Sequence, residues 1–251
     1  MNTYCPKCGA STLQDIPVGD RVIQIRVRCP CQADQWEKEE EEKRYRDFLD
    51  RLEAMERRYG ITDRAFLDWS FDGDDTPGSP ASGVCRKYVE NWEEMRQEGI
   101  GLLLFGSVGT GKTFLSSAVV NALRQKQHTA TVTSFPRLLN LMQNTPDRQG
   151  LLDHLCAYEL LVIDDLGVER DSAYALEQVF TVLDARARSG KPLIITTNLT
   201  LQELQNPATT AHRRIYDRVL QMCPIHLKMT GPSRRTARAE QAREKARKLL
   251  L

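Results

Sequence analysis

The run Gly106-Ser107-Val108-Gly109-Thr110-Gly111-Lys112-Thr113 has the spacing G-x-x-x-x-G-K-T. Glycines at these positions let successive backbone N–H groups turn inward around phosphate oxygens. The helix start that follows adds a partial positive charge. In such a loop a lysine reaches the terminal phosphates and a threonine hydroxyl ligates Mg²⁺, the roles read here for Lys112 and Thr113. A second candidate group, Asp164-Asp165, follows the apolar run Leu160-Leu161-Val162-Ile163. A carboxylate at a strand's carboxyl end can hold the magnesium shell, so Asp164 is read as the metal-side acid. Asp165 is read as the residue that orients the attacking water, with Glu169 as a weaker rival. Asp-Leu-Gly is also turn-like, and a capping role for Asp165 is the alternative.

Asn198 closes a third apolar run, Leu193-Ile194-Ile195-Thr196-Thr197. It is placed to contact the γ-phosphate or the lytic water. Further on, Arg214 and Arg218 lie four apart on an expected helix and share a face. An arginine supplied by a neighbouring subunit stabilises transition-state charge, and Arg218 is the candidate; a salt-bridged surface arginine is the alternative.

At the N-terminus, Cys5-x2-Cys8 and Cys29-x-Cys31 are separated by twenty residues. Four thiolates at such spacing suit tetrahedral Zn²⁺, although the second pair is tighter than the usual C-x2-C. Seven cysteines, an odd number with four clustered, favour a reducing compartment over a disulfide framework. The start lacks an apolar signal-like run, and no apolar stretch reaches the ~18 residues that a membrane span needs. The expectation is a cytoplasmic protein.

These groups need elements to position them. The 251 residues suffice for one large domain and a small appendage. The apolar runs Leu102–Phe105, Thr129–Thr133, Leu160–Ile163, Leu193–Thr196 and Ile225–Met229 read as five strands separated by helical segments. Alternating strands and helices imply right-handed crossovers and an α/β core with a mostly parallel sheet. Residues 1–35 form a cysteine module, with an alternating strand over Arg21–Arg28 that puts Ile23, Ile25 and Val27 on one face, and a hairpin turn at 17–20. Residues 36–59 read as a charged helix with an apolar stripe of Trp36, Phe48, Leu49, Leu52 and Met55. Residues 72–83 read as a loop, and a helix is expected from Val84 to Arg96. The domain division is 1–35, a helical docking segment 36–70, a core 71–232 and a basic tail 233–251.

Net charge is only +1, but from Arg213 to Leu251 eleven Lys/Arg face three Asp/Glu. That end suits a polyanion, or is a solvated helix. Arg137 is a further possible nucleic-acid contact. Aromatic content of 7% gives little sign of base stacking.

Taken in order, Gly101-Leu-Leu-Leu-Phe-Gly-Ser-Val-Gly-Thr-Gly-Lys-Thr, Leu161-Val-Ile-Asp-Asp-Leu-Gly and Ile194-Ile-Thr-Thr-Asn resemble the DnaC/DnaI-type replicative helicase loaders and the related IstB-type transposition helpers. The likeness covers roughly residues 60–235. It implies an AAA+ P-loop NTPase core that binds ATP and Mg²⁺ at subunit boundaries. It implies sensor 1 at Asn198, a trans-acting finger at Arg218 and sensor 2 at Arg235, in Gly231-Pro232-Ser233-Arg234-Arg235. The family covers adenine near Ile61–Phe71. The loader resemblance further implies single-stranded DNA, a hexameric replicative helicase gripped by the N-terminal region, and self-association through the ATP sites. Asp165 departs from the glutamate common in AAA+ proteins, which suits slow hydrolysis. A transposition helper acting on duplex DNA is the runner-up; a small-molecule kinase and a non-hydrolysing scaffold are the alternatives from other classes.

Overall fold

Five apolar runs become five parallel strands. In the computed structural model, which describes residues 3–250 apart from Asp20, Asp63 and residues 168–171, these are β3 (Leu102–Gly106), β4 (Ala130–Ser134), β5 (Leu160–Leu166), β6 (Leu193–Thr197) and β7 (Ile225–Met229). The sheet order is β4-β5-β6-β3-β7, all parallel. Helices cover both faces, so both alternating sets of strand side chains must be apolar. Leu103, Leu161, Ile163, Leu193 and Ile195 enter one core cluster. Leu102, Leu104, Val132, Leu160, Val162, Ile194, Leu227 and Met229 enter the other.

The first cluster packs under α5 (Phe135–Asn144), α6 (Arg148–Ala157), α7 (Ala173–Arg188) and α9 (Thr210–Met222). The second packs under α2 (Pro80–Glu90), α3 (Trp92–Gln97) and α4 (Lys112–Gln125). A short α8 (Leu201–Gln205) precedes α9 and begins with a reciprocal capping box between Thr200 and Glu203. Arg186 near the end of α7 is fully buried, and its guanidinium donates to the carbonyls of Leu155, Tyr158, Glu159 and Pro192. It joins the segments that enter β5 and β6.

Several elements differ from the sequence expectation. Residues 72–83 are not all loop: α2 starts at Pro80, with the Ser79 hydroxyl accepting from the Ser82 N–H. Proline at the first helical position needs no N–H there, so Ser-Pro is a helix start. The helix expected from Val84 to Arg96 is two helices that meet at Asn91. β5 continues through both acids to Leu166. The basic tail forms a helix, α10 (Arg234–Leu250).

The chain divides into two compact units, Met1–Ala54 and Met55–Leu251. The first holds an antiparallel pair, β1 (Leu13–Val18) and β2 (Arg21–Arg26), in the register Ile16 to Ile23. Val27 lies beyond β2, and Asp20 of the expected turn falls outside the described residues. A thirty-residue helix, α1 (Pro30–Tyr59), runs through residue 35. Of its expected stripe, Phe48 and Leu52 are buried, whereas Trp36 and Leu49 are exposed. The Arg28 guanidinium sits 4.3 Å from the Trp36 ring centre.

Candidate functional site

Parallel strands bring their carboxyl ends to one edge, and the sheet order decides which loops become neighbours there. The glycine-rich loop follows β3, the acids lie on β5, and β6 runs between them carrying Asn198 just past its end. Lys112 Nζ donates to Asn198 Oδ1 at 2.8 Å and to the carbonyls of Gly106 and Ser107 at 2.8 Å each. Thr113 Oγ1 donates to Asp164 Oδ2 at 3.0 Å. The other Asp164 oxygen accepts from the Thr196 hydroxyl. Lys112, Thr113, Asp164 and Asn198 are thereby brought together, with Asp165 on the wall of the same cavity.

Asp165 is unusual in its backbone. Its φ is +61°, and the β5–β6 register shifts between Ile163 and Leu166. A bulge of this kind re-aims a side chain. Asp tolerates the left-handed region better than most residues because its short side chain bonds locally. The Asp165 N–H donates to Thr196 Oγ1 at 3.1 Å. Glu169, the rival, lies outside the described residues.

Burial sets the electrostatics. It pushes the Asp164 carboxyl above its usual range, opposed by the Thr196 hydroxyl and reinforced by Asp165. It pulls Lys112 below its usual range, opposed by Asp165 and Asp164. A buried acid next to a second acid suits a cation. Thr113 and Asp164 would hold Mg²⁺ here, and the ion when bound would neutralise charge on transferring phosphoryl oxygens.

One wall of the cavity is apolar. Trp69 and Phe114 line it, with ring centres 5.9 Å apart, and Phe66 lies 4.7 Å from Trp69. Asn121 on α4 donates to the carbonyls of Phe66 and Trp69, at 3.0 and 2.7 Å, and so ties this segment to the helix that follows the phosphate loop. Trp69 lies in the stretch where no single residue was singled out from sequence. For Phe114 the available signal is its place directly after the glycine-rich motif.

The opposite side is basic: Arg234 and Arg235 both line the cavity. Arg235 was anticipated; Arg234 was missed. Gly106, Ser107 and Thr110 frame the loop rather than line the cavity, with Thr110 Oγ1 donating to Ser107 O at 2.8 Å. Val108 and Gly109 do line it. Arg218 is elsewhere, on α9, with NH2 3.0 Å from Asp184 Oδ1 and NH1 donating to Gln221. Arg137 donates twice to Gly60 O.

Residues 74–242 match the model of the IstB-like ATP binding protein family, well over half of the chain. The chain belongs to the IstB-like ATP binding protein family. It is 29% identical over 152 residues to the replicative helicase loader DnaI of Bacillus subtilis (strain 168), covering 55% of this chain and 48% of that protein. It is 30% identical over 130 residues to the replicative helicase loader DnaC of Escherichia coli (strain K12), covering 49% of this chain and 51% of that protein. The chain therefore spans about half the length of these curated relatives. A crystal structure of DnaI superposes with a TM-score of 0.58 at 23% identity, over 69% of this chain and 94% of that one. That likeness, with the five-stranded parallel sheet, shows the AAA+ P-loop fold. The family match contains the phosphate loop, both acids, Asn198, Arg218 and Arg235, and begins just after the Trp69 segment.

The four N-terminal cysteines lie outside the matched span of this IstB-like chain. The four sulfurs of Cys5, Cys8, Cys29 and Cys31 all lie within 4.8 Å of one another. Cys5–Cys31 and Cys29–Cys31 are 3.7 and 3.3 Å apart. Zn–S bonds of about 2.3 Å in a tetrahedron separate sulfurs by roughly 3.8 Å, so the set fits zinc. The Cys8 backbone N–H and the Cys29 thiol lower the Cys5 pKa to about 6. Cys31, beside Cys29, is pushed up to about 12. Cys5 is thus ready as a thiolate at neutral pH, and Cys29 and Cys31, held above the usual thiol range, would lose protons to a bound metal.

Proposed function

We propose that this protein binds ATP with Mg²⁺ and uses slow hydrolysis to deliver a hexameric replicative helicase onto single-stranded DNA in the cytoplasm. The observation that carries the chemistry is the meeting of Lys112, Thr113, Asp164, Asp165 and Asn198 at one sheet edge. Lys112 neutralises the terminal phosphates. Thr113 and Asp164 hold the cation. Asp165 orients the water, and Asn198 reports the γ-phosphate to β6. Arg218 acts on the site of a neighbouring copy when subunits assemble through their ATP sites. Arg218 is not among the residues that line the cavity of its own chain, in keeping with that role. Arg235 closes the site from the C-terminal side.

The loader assignment is supported by the relatives DnaI and DnaC, which are named as replicative helicase loaders. In this scheme residues 1–35 carry zinc, 36–70 dock the helicase, 71–232 turn over ATP and 233–251 touch DNA phosphates. Among the described residues no helix is long and apolar enough to cross a membrane. Affinity capture of the full chain with ATP should recover a hexameric helicase, and single strands should raise its ATPase rate. Capture without a helicase, or a rate raised only by duplex, would sink the loader reading. The second outcome would favour a transposition helper, the reading that the family match also supports.

A further inference from the structure

Two neighbouring arginines face the phosphate loop, and they are held very differently. Arg235 lines the cavity with Lys112, so two cationic side chains share it. Two cations turned toward one cavity repel each other. Something must therefore hold the first turn of α10 in place before any anion arrives.

Arg234 makes that hold. Its backbone N–H donates to Gly109 O at 2.9 Å, inside the phosphate loop. Its NH1 sits 2.6 Å from Asp75 Oδ1, and its NH2 donates to Thr76 Oγ1 at 2.6 Å. The guanidinium lies on the loop so closely that a Cβ at Gly111 would come within 2.8 Å of its Cζ. At Gly109 a Cβ would come within 2.2 Å of Ser233 Oγ. The anchor is itself braced. The Thr76 N–H donates to Asp74 Oδ1 at 2.9 Å, and Ser82 Oγ on α2 donates to Asp74 Oδ2 at 2.5 Å. Asp75 and Thr76 are not among the cavity-lining residues. The carboxylate thus neutralises Arg234 from outside without presenting negative charge to a phosphate.

We infer that Arg234 is a positioning residue for nucleotide binding: clasped by Asp75 and Thr76, it holds Arg235 over the phosphate loop against the repulsion of Lys112. This rests on the ATP-binding reading above. A lysine at 234 would keep the charge but cannot span Asp75 and Thr76 with one planar fork.

The test is the affinity of the full-length protein for a fluorescent ATP analogue with Mg²⁺, at temperatures where each variant is shown to be folded by its melting curve. R234K and D75N should each weaken binding about five- to tenfold, the size expected of a charge-assisted pair. R234K combined with R235A should bind no worse than R235A alone, because the two act as one unit. Wild-type affinity in folded R234K and D75N overturns the inference. So does loss in R234K without loss in D75N, which makes Arg234 a direct phosphate ligand, or full additivity with R235A. If the wild type binds no nucleotide, or K112A binds equally well, the ATP-binding reading falls and this inference falls with it.

Discussion

Thr113 Oγ1 donates to Asp164 Oδ2 at 3.0 Å, joining the first turn of α4 to a strand two places away in the sheet. That bond holds together the two side chains that would ligate the cation, at a carboxylate whose charge burial disfavours. In Asp164→Asn, Mg²⁺-dependent turnover should fall by about a hundredfold or more, as when one preorganised group is removed from a site. The nucleotide-free protein should melt higher, because a charged group is no longer buried. Phosphate release and thermal melting measure the two effects. Equal turnover, or a lower melt, would contradict this account.

Asp165 separates chemistry from backbone strain. Asn tolerates its positive φ, so Asp165→Asn should keep both nucleotide affinity and melting temperature while losing turnover. Asp165→Ala should lose turnover and about 1 kcal/mol of stability as well, since alanine in the left-handed region is strained. Denaturant midpoints of the two variants make the comparison.

Trp69 should report the nucleoside. Its ring lines the cavity beside Phe114 and is held through Asn121. Trp69→Ala should weaken adenine nucleotide binding about tenfold and abolish most nucleotide-induced change in tryptophan fluorescence. Trp69→Phe should restore much of the affinity. An unchanged affinity in Trp69→Ala would place the base elsewhere.

His154 should make the ATPase unit acid-sensitive. It is buried between Tyr59 and Tyr158, and among the described residues its Nε2 has no hydrogen-bond partner. Burial, helped by Arg58, lowers its pKa below 6.5. The unfolded chain then binds the proton more readily than the fold. Stability is therefore fully present above pH 6.5 and declines as pH falls through the window between 6.5 and the lower folded pKa. The slope there is at most about 1.4 kcal/mol per pH unit for one proton. His154→Phe should flatten that part of the curve, as read by denaturant unfolding between neutral and mildly acidic pH.

The cysteine set should carry about one zinc per chain. Chelation, or Cys5→Ser, should remove the metal and raise amide exchange in the β1–β2 unit. Nucleotide affinity should be unchanged, because the phosphate site is built wholly from residues after Met55. Metal analysis with hydrogen exchange would check both halves.

Much of this architecture is legible in the chain itself. Strands covered on both faces must be buried throughout, so β3 and β6 stand out as continuous runs, whereas the edge strand β7 alternates, with His226 and Lys228 between its apolar residues. β5 was read short because Asp164 and Asp165 continue the strand as polar residues. The start of α2 was hidden by Gly78 and Gly83, although Ser79-Pro80 carries a cap and a first-turn proline. The aromatic wall was illegible for a different reason. Trp69 reaches the cavity only because Asn121, far along the chain, holds its backbone. Arg234 and Arg235 are the same residue type in adjacent positions, and both line the cavity. Only the place of Asp75 decides which one is clasped.

The three oxygens that hold the Lys112 ammonium carry one more consequence. A ligand arriving at this loop does not meet an idle charge; it must outcompete the loop's own carbonyls and Asn198 for a cation already satisfied. Binding is therefore an exchange, favouring anions that offer several oxygens at once and bring a metal with them. Inorganic phosphate or sulfate, each too small to replace all three acceptors and also reach Thr113, should compete poorly. That exchange would also release the Asn198 side-chain oxygen, just past the end of β6, from Lys112.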